Sequence, residues 1–141
     1  MKQETLGTGT MTKTPPSRRI LLVDDNLELM EFLVMLLEDR GYTTIAVPSP
    51  VQAALLAQTE RFDAVISDVR MPLLSGPEMV QAIRATRLNA HVPVVYISGQ
   101  TDKEMSAITQ DPFAHYVSKP FGGILLLAAL EDVLTCCHHI D

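Results

Sequence analysis

Five polar residues stand where short apolar runs of the sequence end. Asp24 and Asp25 follow one run, Asp68 follows another, and Ser98 and Lys119 close two later ones. If these ends meet at one edge of a sheet, three carboxylates crowd together, and like charges about 4 Å apart repel by about 4 kcal/mol at an effective dielectric of about 20. We therefore expect a cation among them.

The residue types at these positions suit a phosphoryl group. An all-oxygen site with few protein ligands and room for water is the kind that binds Mg²⁺. Lys119 adds a second positive charge, and Ser98 adds a hydroxyl that can rotate. Each of these groups can take charge from the equatorial oxygens of a phosphoryl group held on one carboxylate.

The elements that must position these residues alternate regularly along the chain. Apolar runs that do not alternate with polar residues, each followed by a helical pattern, predict an α/β fold with a parallel sheet covered on both faces. Such a sheet binds ligands beyond the carboxyl ends of its strands. The predicted strands are Ile20–Val23, Thr43–Val47, Ala64–Ser67, Val92–Ile97 and His115–Ser118, and the predicted helices are Leu27–Leu37, Val51–Gln58, one opened by Pro77, a weak one over Asp102–Gln110, and a last one from Gly123 or Ile124 to about Cys136.

Composition narrows the class of protein. The 141 residues are 47% apolar, which is enough for one domain with a sizeable core, and 17 acidic against 11 basic side chains give a net charge of −6. That charge argues against nucleic-acid binding, and no apolar run is long enough to span a membrane. Only two cysteines occur, adjacent as Cys136 and Cys137, so a disulfide-stapled fold is excluded. We expect a cytoplasmic protein.

The domain boundaries follow from the same composition. Residues 1–17 contain five Thr, two Gly and two Pro, which predicts a disordered leader, and residues 18–141 form the folded domain. After Pro120 only 21 residues remain, so we expect one further helix and no output domain.

Four stretches of this chain resemble the receiver domains of two-component response regulators. They are LLVDDN, VISDVRMPLLSG, VVYISG and YVSKPF, in the order and spacing of that family, and the resemblance covers Arg18 to about Leu134. It implies a flavodoxin-like, doubly wound (βα)5 fold with strand order 2-1-3-4-5.

The resemblance also implies roles for the strand-end residues. Asp68 matches the phosphoacceptor that takes a phosphoryl group from a histidine kinase or a phosphotransfer protein. Asp25, Asp68 and the backbone carbonyl of Arg70 match the Mg²⁺ ligands, and Asp24 acts largely through water. Ser98 matches the hydroxyl residue that moves toward the phosphoryl group.

Further matches lie around this site. Tyr116 matches the aromatic residue that follows the hydroxyl inward, Lys119 matches the lysine that contacts the phosphoryl oxygens, and Lys119-Pro120 matches a cis peptide that aims the lysine. Arg70 and Gln100 flank the approach to the phosphoryl group, where Arg70 can steer an anionic donor and Gln100 can position or exclude water. Solvated loop side chains are the alternative interpretation of both.

Three functions stay open on the sequence. The first is a stand-alone receiver that signals by phosphorylation-dependent protein contacts and has no enzyme activity beyond its own Mg²⁺-dependent phosphorylation and dephosphorylation. The second is a receiver excised from a hybrid histidine kinase, and the third is a receiver-like binding module that is never phosphorylated. A hydrolase of the haloacid dehalogenase kind is disfavoured, because it needs a second Asp where this chain has Arg70.

The last helix has an unusually wide apolar arc of roughly 200°, against about 100° for an ordinary surface helix. One interpretation is a homodimer or partner surface that includes Leu125 and Ala129 and responds to phosphorylation. The other is that the arc packs between two neighbouring elements.

Overall fold

The computed structural model describes residues 17–98, 111–118 and 122–140. Within these ranges the chain forms β1 (Arg19–Val23), α1 (Leu27–Asp39), β2 (Thr43–Val47), α2 (Pro50–Leu56), β3 (Ala64–Asp68), α3 (Gly76–Arg84), β4 (Val94–Ser98), β5 (Ala114–Ser118) and α4 (Gly123–Ile140). The strands form one sheet in the order β2-β1-β3-β4-β5, with every neighbouring pair parallel. The predicted flavodoxin-like α/β fold and its strand order are confirmed.

Some of the sequence predictions lie outside the described residues. These are the leader up to residue 16, Gln100, the weak helix over Asp102–Gln110, and Lys119 with Pro120.

Local signals in the sequence explain where the helices begin and end. The side chain of Asn26 accepts a hydrogen bond from the backbone N–H of Leu29 and caps α1. Gly41, with φ of 92°, ends the same helix in a left-handed conformation that glycine adopts without strain. At α3, Ser75 and Glu78 form a reciprocal capping box.

The boundaries of the elements differ from the predicted ones by a few residues. The largest difference within the sheet is at β4, which begins at Val94 and not at Val92, because Pro93 has no N–H to donate to a strand ladder. The Pro93 carbonyl oxygen accepts from Val65 N at 2.9 Å, but the first N–H donated across the sheet is that of Val94, to Phe113 O at 2.9 Å. α4 also continues past Cys136 to Ile140.

Both faces of the sheet are covered, which explains why the strands read as continuous apolar runs. In β1, Ile20 and Leu22 pack with α1 and α4, whereas Leu21 and Val23 pack with α2 and α3. All four side chains are fully buried. Successive strand residues point to opposite faces, so a sheet with two covered faces needs an apolar residue at every position.

Most of the wide apolar arc of α4 is core. Its buried residues are Leu126, Leu127, Leu130, Val133 and Leu134. Ala129 is partly buried and packs on the same cluster, whereas Ile124 and Leu125 are 78% and 62% exposed. The arc therefore divides: among its described side chains, Leu125 is the one that is largely exposed, next to the exposed Ile124 in the first turn. Among the described helices, none is both long enough and apolar enough to cross a membrane.

Candidate functional site

Three carboxylates meet at the carboxyl edge of the sheet. Asp24 and Asp25 directly follow β1, and Asp68 is the last residue of β3, the strand that pairs with β1. One oxygen from each carboxylate lies within 4.8 Å of the other two. Asp24 is only 1% exposed, Asp68 is half-buried and Asp25 is exposed, so the cluster is closed on one side and open to solvent on the other.

The start of α1 positions the Asp24 side chain. Its Oδ1 accepts a hydrogen bond of 2.9 Å from the backbone N–H of Asn26, the residue that caps the helix. The positive end of the α1 dipole also lies beside these carboxylates, which favours negative charge there. The turn after β1 and the start of α1 therefore hold the Asp24 side chain in place.

The backbone around Asp68 is fixed from both sides. Arg70 N–H donates to its Oδ1 at 3.3 Å, and the hydroxyl of Ser67 donates to its carbonyl oxygen at 2.7 Å. Gly76, the first residue of α3, donates its N–H to Val69 O at 2.8 Å. A Cβ at Gly76 would collide with the Asp68 carbonyl oxygen, so only glycine allows this approach.

Ser67 and Gly76 are positioning residues that the sequence reading does not assign to the site. A signal for Ser67 exists, because it is the single hydroxyl residue in the apolar run that leads to Asp68. For Gly76 the signal is weaker, since a glycine before Pro77 also fits an ordinary helix start.

Ser98 lies next to the acidic cluster. It ends β4, directly after Ile97, which pairs with Asp68 across the sheet, and it is 1% exposed. The hydroxyl of Tyr116 on β5 donates to the Ser98 backbone carbonyl at 3.3 Å. The hydroxyl residue beside the carboxylates is therefore tied to the neighbouring strand.

The structure brings together most of the predicted site residues. Asp24, Asp25 and Asp68 form one cluster, and Ser98 ends the strand beside it. Arg70 is exposed at the mouth of the cluster, two residues after Asp68. The predicted lysine, Lys119, lies outside the described residues.

Comparisons with known proteins agree with this geometry. The chain matches the response regulator receiver domain family over residues 20–131. It is 35% identical to the sensor histidine kinase GacS of Pseudomonas protegens over 106 residues, which are 72% of this chain and 12% of that kinase. It is 28% identical to the chemotaxis protein CheY of Pseudomonas aeruginosa over 117 residues, 82% of this chain and 94% of CheY.

Two solved structures extend the likeness to the fold. Chemotaxis protein CheY4 of Vibrio cholerae superimposes with a TM-score of 0.77 at 29% identity, covering 83% of this chain and 98% of that one. The receiver domain of the sensor histidine kinase PA1611 of Pseudomonas aeruginosa, solved with a magnesium ion in its active-site cleft, gives a TM-score of 0.76 at 28% identity, with coverage of 84% and 98%.

The lengths of the matched proteins differ widely. The chain spans 54% of a probable transcriptional regulator from Pyropia yezoensis and 44% of a response regulator receiver protein from Anaeromyxobacter. The family match over residues 20–131 nevertheless covers most of this chain, including the acidic cluster and all of the described strands except Arg19, the first residue of β1. This chain therefore belongs to the response regulator receiver domain family of two-component signal transduction.

Proposed function

We propose that this chain accepts a phosphoryl group on Asp68 from a histidine kinase or a histidine phosphotransfer protein. The observation that carries the proposal is the convergence of three carboxylate oxygens within 4.8 Å at the carboxyl edge of the sheet, with Asp68 on the accessible side. Among the three, Asp24 is buried and we assign the exposed Asp25 to the metal, so the partly exposed Asp68, which matches the phosphoacceptor of receiver domains, is the proposed acceptor.

The residues present fit a magnesium ion. Mg²⁺ prefers hard oxygen ligands and keeps several waters, so it binds through one or two carboxylates. Asp25, Asp68 and the backbone carbonyl of Arg70 would hold it directly, and Asp24 would act through water. When bound, the ion offsets the negative charge of the carboxylates and of the incoming phosphoryl oxygens.

The transfer itself exchanges one bond to phosphorus for another. An oxygen of Asp68 forms the new P–O bond as the P–N bond to the donor histidine breaks, and the leaving imidazole keeps the electron pair. Stabilisation of the three equatorial oxygens is the main task of the protein in such a step. We assign this task to the Ser98 hydroxyl and to the Lys119 ammonium.

The link between Ser98 and Tyr116 supports a role in switching. Because Tyr116 donates to the backbone of Ser98, a shift of Ser98 toward a phosphoryl group changes the partner of the tyrosine hydroxyl. We propose that this change passes to β5 and to the surface around it, where a downstream protein binds.

We also propose the boundaries of the domain, its location in the cell and the form of its output. We place the receiver in residues 18–141 and in the cytoplasm, where its two adjacent cysteines stay reduced. We propose that the domain signals by contact with another protein. One form of this contact is a homodimer through the exposed residues in the first turn of α4.

A receiver from a hybrid histidine kinase is the second candidate. The 35% identity to GacS, over a segment that makes up only 12% of that kinase, favours it. The boundaries of the natural gene decide between the two candidates, because a hybrid kinase encodes its kinase domains in the same reading frame.

Intact-mass spectrometry tests the function directly. The chain is incubated with acetyl phosphate, with and without Mg²⁺, alongside Asp68→Asn and the control Asp39→Asn, which changes an exposed carboxylate at the end of α1. We expect one phosphoryl adduct that needs Mg²⁺, is kept in Asp39→Asn and is lost in Asp68→Asn. An adduct on Asp68→Asn would contradict the assignment, and no adduct on any chain would favour the non-phosphorylated binding module.

A further inference from the structure

Most of the described basic side chains lie at the amino edge of the sheet, which is the edge opposite Asp68. Seven arginines and no lysine lie in the described residues, and only Arg70 follows a strand. The other six lie before or at the start of a strand, or at or just after the end of a helix that runs back to the amino ends of the strands, namely Arg18, Arg19, Arg40, Arg61, Arg84 and Arg87. The same edge also holds acidic residues, and three of these arginines form ion pairs, with Glu60, Asp63 and Asp111.

A cleft of about 340 Å³ opens between the segments that precede β1, β3, β4 and β5. Arg18, Arg61, Arg87 and His91 line it, against one acidic side chain, Asp63. Its volume lies at the lower end of the range of about 300–1,000 Å³ that small-molecule sites occupy.

Ion pairing leaves part of the positive charge in this cleft uncompensated. Asp63 pairs with Arg61 at 3.2 Å, and its other oxygen accepts from the backbone N–H of Arg19 at 2.7 Å. Arg18 and Arg87 make no ion pair within the part of the chain that the structure describes. Both are exposed, and both remain available to an anion.

The same cleft has an apolar side. Phe113 contributes to its lining, and the His91 ring stands edge-on to Phe113 with ring centroids 6.4 Å apart. Val92 and Pro93 also line the cleft. A phosphate group can therefore meet the arginines while a ring-shaped body packs on the apolar wall.

A buried side chain holds the cleft in shape. Asn89, 2% exposed, donates to Ala57 O and to Glu60 O, both at 2.9 Å, and accepts from Phe62 N at 2.8 Å. These bonds tie the α3–β4 connection to the segment before β3. Arg61 and Arg87, one on each of these two segments, therefore lie on backbone that these hydrogen bonds hold in place.

We propose that this cleft binds a small organic phosphate, such as a nucleotide, through Arg18 and Arg87, at the edge of the sheet opposite Asp68. The site is separate from the acidic cluster and does not depend on the proposed phosphorylation. Arginine suits it because the planar guanidinium matches phosphate oxygens in pairs.

Amide chemical shifts measured by NMR on the full chain test this proposal. The probes are ADP, pyrophosphate and adenosine, each without Mg²⁺ so that the acidic cluster does not take part. We expect saturable shifts centred on residues 87–92 and on Phe113, tighter binding for ADP than for pyrophosphate, and none for adenosine. No saturation with ADP at millimolar concentration, or equal affinity for ADP and pyrophosphate, would overturn the proposal.

Two variants separate a built site from general positive charge. Arg87→Gln is expected to weaken ADP binding by about tenfold, the loss of one charge-assisted contact. Arg40→Gln removes the same charge at the same edge but does not line the cleft, and it is expected to leave the affinity within about twofold. Equal weakening by both variants would mean that the anion meets only the overall field, which contradicts a site.

Discussion

At the scale of single residues, the acidic cluster makes a prediction about metal dependence. Asp25 is exposed and offers a direct ligand, so Asp25→Ala is expected to raise the Mg²⁺ concentration for half-maximal phosphorylation by at least about tenfold. Asp39→Ala, which removes an exposed carboxylate elsewhere, serves as the control. A metal titration that is the same for both variants would remove Asp25 from the site.

Gly76 makes a second prediction, about packing against the phosphoacceptor. In Gly76→Ala the new methyl group meets the Asp68 carbonyl oxygen, a backbone atom that cannot move without shifting β3. We expect the free energy of unfolding to fall by about 1–3 kcal/mol and phosphorylation to slow. Gly122→Ala, where a Cβ would have nothing within 4 Å, is the matched control in denaturant unfolding. Equal stability of the two variants would contradict the close approach.

The acidic residues of the site can be predicted from the sequence, whereas the positioning residues cannot. Asp24, Asp25 and Asp68 are recognisable because each follows an apolar run, and parallel strands bring such ends together. The role of Gly76 depends on a backbone approach between two residues eight apart in the chain, and periodicity carries no information about it. Ser67 is similar, because its bond goes to the backbone of its neighbour.

At the scale of elements, the α3–β4 connection depends on one side chain. Asn89→Ala would leave the N–H of Phe62 and two carbonyl oxygens without their buried partner, so we expect a loss of about 3 kcal/mol in the free energy of unfolding. Gln81→Ala, an exposed polar position on α3, should stay within about 0.5 kcal/mol of the parent. Thermal or denaturant unfolding measures both, and a stable Asn89→Ala would contradict this account.

The first turn of α4 provides a test of the proposed self-association. Leu125 is 62% exposed and Leu126 is fully buried, so Leu125→Glu should leave the domain folded while Leu126→Glu unfolds it. Sedimentation with beryllofluoride, a phosphoryl analogue, then asks whether the parent dimerises and whether Leu125→Glu prevents it. A parent that stays monomeric with and without the analogue would contradict a homodimer through α4.

Element boundaries are only partly predictable, for physical reasons visible here. The caps at Asn26 and Ser75 depend on residues within one turn, and the sequence contains all the information they need. The division of the apolar arc of α4 depends on which side the sheet covers. Periodicity measures the width of an arc, whereas burial of Ala129 beside an exposed Leu125 depends on tertiary packing.

At the scale of the whole molecule, the tyrosines predict how stability changes in alkali. Burial, above all, raises the pKa of Tyr96 far above the usual value of about 10, and burial followed by Glu131 raises the pKa of Tyr42. Their folded-state pKa values exceed the unfolded ones, so the unfolded state loses these protons first. The stabilisation is complete below about pH 10 and is lost as the pH rises beyond it.

Tyr96→Phe separates this effect from general alkaline denaturation. The variant has no phenol to ionise at the buried position, so its stability should fall less steeply than that of the parent above about pH 10. Denaturant unfolding at a series of pH values measures the slope. Parallel curves for the parent and Tyr96→Phe would contradict a buried, neutral phenol at this position.

The two edges of the sheet give the molecule an electrostatic asymmetry. The carboxyl edge holds Asp24, Asp25 and Asp68, whereas the amino edge holds six of the seven described arginines, three of which form ion pairs with acidic residues. The net charge of −6 belongs to the whole chain and carries no information about where the charges lie. The basic residues are scattered along the chain, and the sequence does not show that they share one edge because this depends on the arrangement of the strands and helices.

Chemical trapping identifies which carboxylate of this chain carries the phosphoryl group. Borohydride reduces an aspartyl phosphate to homoserine, so peptide mass spectrometry after treatment with acetyl phosphate and Mg²⁺ identifies the acceptor by position. We expect homoserine at position 68 and unmodified aspartate at positions 24 and 25. Homoserine at either of those two positions, or at none while a phosphoryl adduct is present, would contradict it.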